Sequence, residues 1–162
     1  MQICTRRRKQ ESQDKRSGAT LVEMAVVLPV FFTLVFGFVE FGHVFMTVHV
    51  LNGAAKQAAR SGVGDNSTTA KVKAKANTIL SSLLGSTSDF TVEVLDGAVF
   101  DDPSVDAAAV DYSALPEADL STAEPRQLFI VRVSVPYDDI AILGPKWLKN
   151  LNLRGQSVMR HE

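Results

Sequence analysis

Apolar residues crowd into one early run and recur periodically afterwards. Between Ala19 and Phe41 the chain reads ATLVEMAVVLPVFFTLVFGFVEF, with Glu23 and Glu40 as the only charges. The ~21 residues from Ala19 to Val39 suffice to cross a bilayer as a helix at ~1.5 Å per residue. A cleaved secretory signal has a shorter apolar core, about 7–15 residues, closed by a small-residue site of the A-x-A kind. Here Glu40-Phe41-Gly42-His43 follows instead, so the pattern predicts a retained membrane helix. Pro29 interrupts it. Lipid-embedded helices tolerate proline when neighbours satisfy the freed carbonyl, and the result is a helix kink at Pro29.

Beyond Phe38 the apolar positions step by three and four: Phe38, Phe41, Phe45, Val48, Leu51, Ala55, Ala58 or Ala59, and Gly62. That spacing extends the helix past the membrane as one amphipathic stripe. Late in the stripe the residues shrink. Ala55, Ala58, Ala59 and Gly62 suit close helix packing, either against the chain's own domain or against sibling subunits. Gly62 to Asn66 (GVGDN) predicts the helix end, with glycine in a left-handed cap and Asp65 or Asn66 in a turn.

Residues 64–162 read as a small α+β domain. Asn66 or Ser67 caps a second helix running to Gly85, with Val72, Ala76, Ile79, Leu80, Leu83 and Leu84 on one side and Lys71, Lys73 and Lys75 on a solvated one. Phe90 to Leu95 alternates as a strand. Leu128 to Pro136 (LFIVRVSVP) is the most β-like run, with Pro136 ending its pairing or marking an edge. Leu153 to Arg160 is a third strand. Residues 96–126 form a long acidic loop that reads as solvated or disordered. Trp147, within Ile140 to Leu151, is expected to plug the core. The fold class is thus α+β: a long N-terminal transmembrane helix continuing into a small domain with a second helix and a small antiparallel sheet, each layer burying its one apolar face against the other.

Charge sets the orientation. Arg6, Arg7, Arg8, Lys9, Lys15 and Arg16 precede the apolar run against only Glu11 and Asp14. Residues 1–18 are therefore a basic cytoplasmic leader, residues 19–63 the transmembrane and extended amphipathic helix, and residues 64–162 an exported domain. The net charge of −1 supplies no field for nucleic acid. Cys4 is the only cysteine, so the exported part has no disulfide.

No constellation carries catalysis. His43 and His49 fall on different helical faces, and neither a nucleophile elbow nor a phosphate-binding loop is present. Asp101, Asp102 and Asp106 offer oxygen ligands to calcium but lack the glycine turn and closing glutamate of an EF-hand. No cofactor or metal is expected. Asp138 and Asp139 read as a turn, and Glu40 as the outer membrane boundary.

The segment SGATLVEMAVVLPVFFTLVFGFVEFG, followed by AAKQAARSGV, resembles the TadE-like proteins of tight-adherence pilus systems, over about Gly18 to Val63. The resemblance implies a pseudopilin or minor pilin that assists assembly of Flp-type pili or related secretion, without catalysis. It implies a bacterial inner-membrane, single-pass location with the N-terminus cytoplasmic. Its implied partners are the lipid bilayer, a prepilin peptidase, other pilin-like subunits and the tight-adherence secretion machinery. Gly18 and Glu23 match the glycine and fifth-position glutamate of type IV prepilin leaders, so processing would fall between Gly18 and Ala19. Met24 stands where Flp-type motifs usually carry tyrosine.

Glu23 has a physical reading of its own. A carboxylate inside an apolar membrane run costs about 2.5–3.5 kcal/mol on insertion scales and takes a proton or a cation. The new amine of Ala19 on a neighbouring subunit is one such cation; hydration near the headgroups is the other outcome. The alternative function is a membrane-tethered binding module, with the helix a passive anchor and the sheet or acidic loop binding a ligand.

Overall fold

The structure is a computed structural model that describes residues 3–64, 67–85, 89–107, 109–141 and 151–162, with side chains from residue 18 onward. Asp65, Asn66 and Trp147, expected as turn, cap and core plug, lie outside the described residues. Two compact units emerge, Met1–Phe41 and Gly42–Glu162.

Helix α1 spans Ile3–Ser61. It begins inside the basic leader and not at Ala19. In the first unit its apolar side chains are bare: Leu21 is 71% exposed and Phe38 70%. No part of its most apolar stretch is buried. The helix is long and apolar enough to cross a membrane.

The second unit is built on a three-stranded antiparallel sheet in the order β1-β2-β3, made of β1 (Thr91–Asp96), β2 (Leu128–Pro136) and β3 (Asn152–Arg160). Thr91 pairs with Ser134 and Asp96 with Phe129; Leu128 pairs with Arg160 and Pro136 with Asn152. The strongest β-former, β2, takes the centre, where both of its edges are paired. Pro136 is therefore a strand end and not an edge marker, and a short 3-10 turn at Tyr137–Asp139 follows it. Helix α2 (Thr69–Leu84) starts at Thr68, whose hydroxyl accepts from Lys71 N at 3.3 Å. This corrects the expected cap at Asn66 or Ser67. Ser67 instead turns its hydroxyl back to Gly62 O at 2.8 Å. Gly85 does close α2, with φ 93°, a region that costs any residue with a Cβ.

One face of the sheet meets the helices. Phe129, Val131, Val133 and Val135 alternate along β2 into a cluster with Leu51, Ala55, Ala58 and Ala59 of α1 and Val72, Ala76 and Leu80 of α2. The other face is covered as well. Leu95 and Ile130 are buried yet stand outside that cluster, under the segment joining β1 to β2. Most of this segment is exposed, as expected of a solvated loop, but part of it pairs with the sheet. Asp96 N donates to Pro116 O and Ala118 N to Val94 O, both at 2.9 Å, so residues 116–118 line the outer edge of β1. Phe100 stacks on Tyr112 with ring centroids 5.7 Å apart, and the Arg132 guanidinium sits 5.5 Å over the Tyr112 ring.

Candidate functional site: the exposed apolar helix and its seat on the sheet

The candidate site begins where the apolar run begins. Gly18 has open space where a side chain would sit. Ala19 and Glu23 are exposed positions of α1, four residues apart and so on one helical face, about 6 Å apart along the axis. Around and above them Leu21, Val22, Met24, Val26 and Val27 are exposed. A carboxylate on a bare apolar helix face is the arrangement that a charged partner or a headgroup must resolve. Glu40, by contrast, is buried.

Pro29 lies within α1, which continues through it. Proline has no N–H for the carbonyl of the residue four before it, Ala25. One turn on, the Thr33 hydroxyl donates to Pro29 O at 2.8 Å, a bond to the proline's own carbonyl and not to the one the proline frees.

The small residues are seated inside the chain's own domain. Ala55, Ala58 and Ala59 have no exposed surface. Gly62 sits where a Cβ would lie 3.0 Å from both Leu120 Cδ1 and Val72 Cγ2 and 3.1 Å from Phe129 Cε2. Its size is set by that close approach. It does not adopt a positive φ, so the expected left-handed cap is absent; at the end of α1 Gly62 N donates to Ala59 O at 2.9 Å and the Ser61 hydroxyl to Ala58 O at 2.6 Å. Glu162 N donates to Val63 O at 2.8 Å, and His161 Nδ1 lies 3.0 Å from the same oxygen. The expected stripe is also split. Phe38, Phe41 and Phe45 are exposed, whereas Leu51, Ala55, Ala58 and Ala59 are buried; at roughly 100° per residue Phe45 and Leu51 lie about 120° apart, so the steps of three and four drift round the helix from one face to another.

Gly155 is the position that the periodicity of β3 did not flag. A Cβ there would collide with the backbone of Leu51 and stand 2.5 Å from Asn52 N. The α1 backbone therefore crosses β3 at van der Waals contact. Asn52 secures the crossing, its Oδ1 accepting from Gln156 N at 3.1 Å while its Nδ2 donates to Val48 O at 3.0 Å. A lone glycine inside a strand is the sequence signal for such an approach.

The acidic segment spends its carboxylates on its own turns. Asp102, Asp111 and Asp119 each accept from the hydroxyl and the amide of the serine two residues on, at 2.5 to 3.0 Å. Those serine hydroxyls first, and their amides second, hold the three carboxyls below the usual carboxylate range. Asp101 is paired with Arg160 at 2.6 Å. Among the described residues no group of three His, Cys, Asp or Glu side chains is placed to hold a metal ion.

A family model described as TadE-like protein matches residues 18–60. Searches of curated proteins and of solved structures returned no match. The matched stretch starts at the glycine of the leader junction, includes Glu23 and Pro29, and ends on the alanine-rich turns that meet the sheet. Over residues 18–60, about a quarter of its length, the chain is similar to TadE-like proteins.

Proposed function

We propose that this protein is a membrane-anchored pseudopilin or minor pilin that assists assembly of Flp-type pili or a related secretion apparatus, with a structural role and no catalysis. The observation that carries the reading is the coincidence of the TadE-like match with the bare apolar helix that bears Glu23. The helix anchors the chain in the inner membrane, with the basic leader in the cytoplasm and the α+β unit outside. A prepilin peptidase cuts between Gly18 and Ala19. The new Ala19 amine of one subunit then neutralises Glu23 of its neighbour, which sets a fixed axial step between pilin-like subunits of the tight-adherence machinery.

Co-expression with and without a prepilin peptidase tests the reading. The mass of the membrane-purified chain is expected to fall by that of residues 1–18 only when the peptidase is present, and Glu23→Gln is expected to abolish piliation while leaving the chain in the membrane. Retention of Met1 under both conditions would remove the processing step. Full piliation with an unrelated membrane helix in place of residues 19–41 would favour the tethered binding module.

A further inference from the structure

In the second unit the first turns of α1 have two unlike sides. Val44 and Val48 pack against the hydrophobic cluster, and Thr47 is buried. His43 meets Tyr137 on that side, with ring centroids 6.2 Å apart. At about 100° per residue, Gly42, Phe45, Met46 and His49 share the opposite side, and all four are exposed. Phe45 is 67% exposed and Met46 62%. These two large apolar side chains are as bare as those of the apolar run, although they lie beyond the Ala19–Val39 stretch that suffices to cross a hydrocarbon core.

Charge does not close the run where its position in the sequence suggests. Between Met24 and Lys56 the only formally charged side chain is Glu40, and Glu40 is buried. It presents no carboxylate to water that would mark the outer limit of the membrane. On the bare side of the second unit the next polar residues are His49 and Asn52, both exposed. From Ala19 to Met46 the helix has roughly 28 residues, about 42 Å of length. That exceeds the ~30 Å of a hydrocarbon core and matches the ~40–45 Å of a bilayer with its headgroup layers.

We propose that Phe45 and Met46 are seated in the outer headgroup layer of the bilayer, so that the first turns of α1 in the second unit rest on lipid on one side and on their own hydrophobic cluster on the other. Apolar helix faces lodge in this way about 5–10 Å deep at the boundary of headgroups and acyl chains. The bare surface is continuous along the chain with the apolar run, and it ends where a bilayer's interfacial layer ends. A neighbouring subunit's helix would impose no such limit, and this favours lipid as the occupant. The contact rests on the reading of α1 as a membrane anchor, and it places the anchor's outer limit at the turn from Met46 to His49 instead of at Glu40.

The test uses the full chain in phosphatidylcholine vesicles, carrying one tryptophan at a time. In a Trp147→Phe chain, Phe45→Trp is compared with His49→Trp and, within the apolar run, with Phe31→Trp; Met46→Trp is a second reporter of the same contact. All four positions are exposed, so the larger ring has room. Bromine placed on the acyl chains close to the headgroups quenches a ring at the boundary, bromine near the chain ends one in the core, and iodide on both sides of the membrane one in water. Phe45→Trp and Met46→Trp are expected to lose most of their emission to the shallow bromines and little to iodide. Phe31→Trp is expected to lose its emission to the deep bromines, and His49→Trp to iodide. Iodide quenching of Phe45→Trp and Met46→Trp equal to that of His49→Trp would overturn the proposal by placing both side chains in water. Protection from bromine and iodide alike at high lipid-to-protein ratio would overturn it too, and assign the face to a protein partner. In either case deep-bromine quenching of Phe31→Trp leaves anchorage by α1 standing and sinks this contact alone, whereas iodide reaching Phe31→Trp sinks the anchor itself.

Discussion

At Gly155 a single methyl group decides whether helix and sheet can meet. Gly155→Ala puts a carbon into the α1 backbone, and backbone yields less readily than a side chain. Overpacking of this kind costs about 1–3 kcal/mol and occasionally more. Gly53 is the opposite case: it lies inside α1 with nothing within 4 Å of an added Cβ, so Gly53→Ala is expected to stabilise by about 0.5–1 kcal/mol through helix propensity alone. Urea unfolding of the two variants checks the contrast, and equal midpoints would mean that α1 does not rest on β3. The aspartate–serine turns make a second prediction at this scale. Folding lowers the carboxyl pKa of Asp102, Asp111 and Asp119. Their turns are therefore fully stabilised above the ordinary carboxylate value and lose that contribution as pH falls through the lower folded values. The amides of Ser104, Ser113 and Ser121 are expected to lose protection from exchange only once pH falls below the ordinary carboxylate value, while amides of β2 hold theirs.

Among the elements, the segment between β1 and β2 departs furthest from its composition. Asp, Ala, Pro and Ser read as solvated chain, yet the segment lines a strand edge and closes a second apolar layer over Leu95 and Ile130. Thr69 is its fastening to α2. The hydroxyl donates to Ala118 O at 2.8 Å and accepts from Leu120 N at 3.1 Å. Thr69→Val removes both bonds and leaves two partly buried backbone groups without them, at a cost of about 1–3 kcal/mol. Thr78 bonds only Ala74 O of its own helix, on the exposed side, so Thr78→Val is expected to change stability by less than about 0.5 kcal/mol. Thermal unfolding distinguishes the two, and faster amide exchange around Ala118 identifies the loosened segment.

For the whole molecule, the bare apolar residues and the hydrophobic cluster fall in different parts of the sequence. Every member of the cluster lies beyond Gly42. A chain shortened to Gly42–Glu162 is therefore expected to unfold cooperatively without lipid, whereas the full chain partitions into membranes. A non-cooperative melt of the shortened chain would mean that the apolar helix contributes to the fold as well as to anchorage.

Hydropathy and periodicity alone determined the membrane-length helix, the second helix with its glycine stop, and three strands within a residue of their observed bounds, because each pattern reflects a local period that backbone geometry imposes. Glu23 stood out for a related reason, since a charge inside an apolar run violates the local rule, whereas Gly18 was singled out only by its resemblance to prepilin leaders. Tertiary structure decided the rest. It laid an acidic segment along the outer strand edge, replaced a conformational role for Gly62 by a packing one, and made Gly155 the crossing point of helix and strand. Those outcomes depend on what approaches each residue from far along the chain, and side-chain spacing holds no record of it.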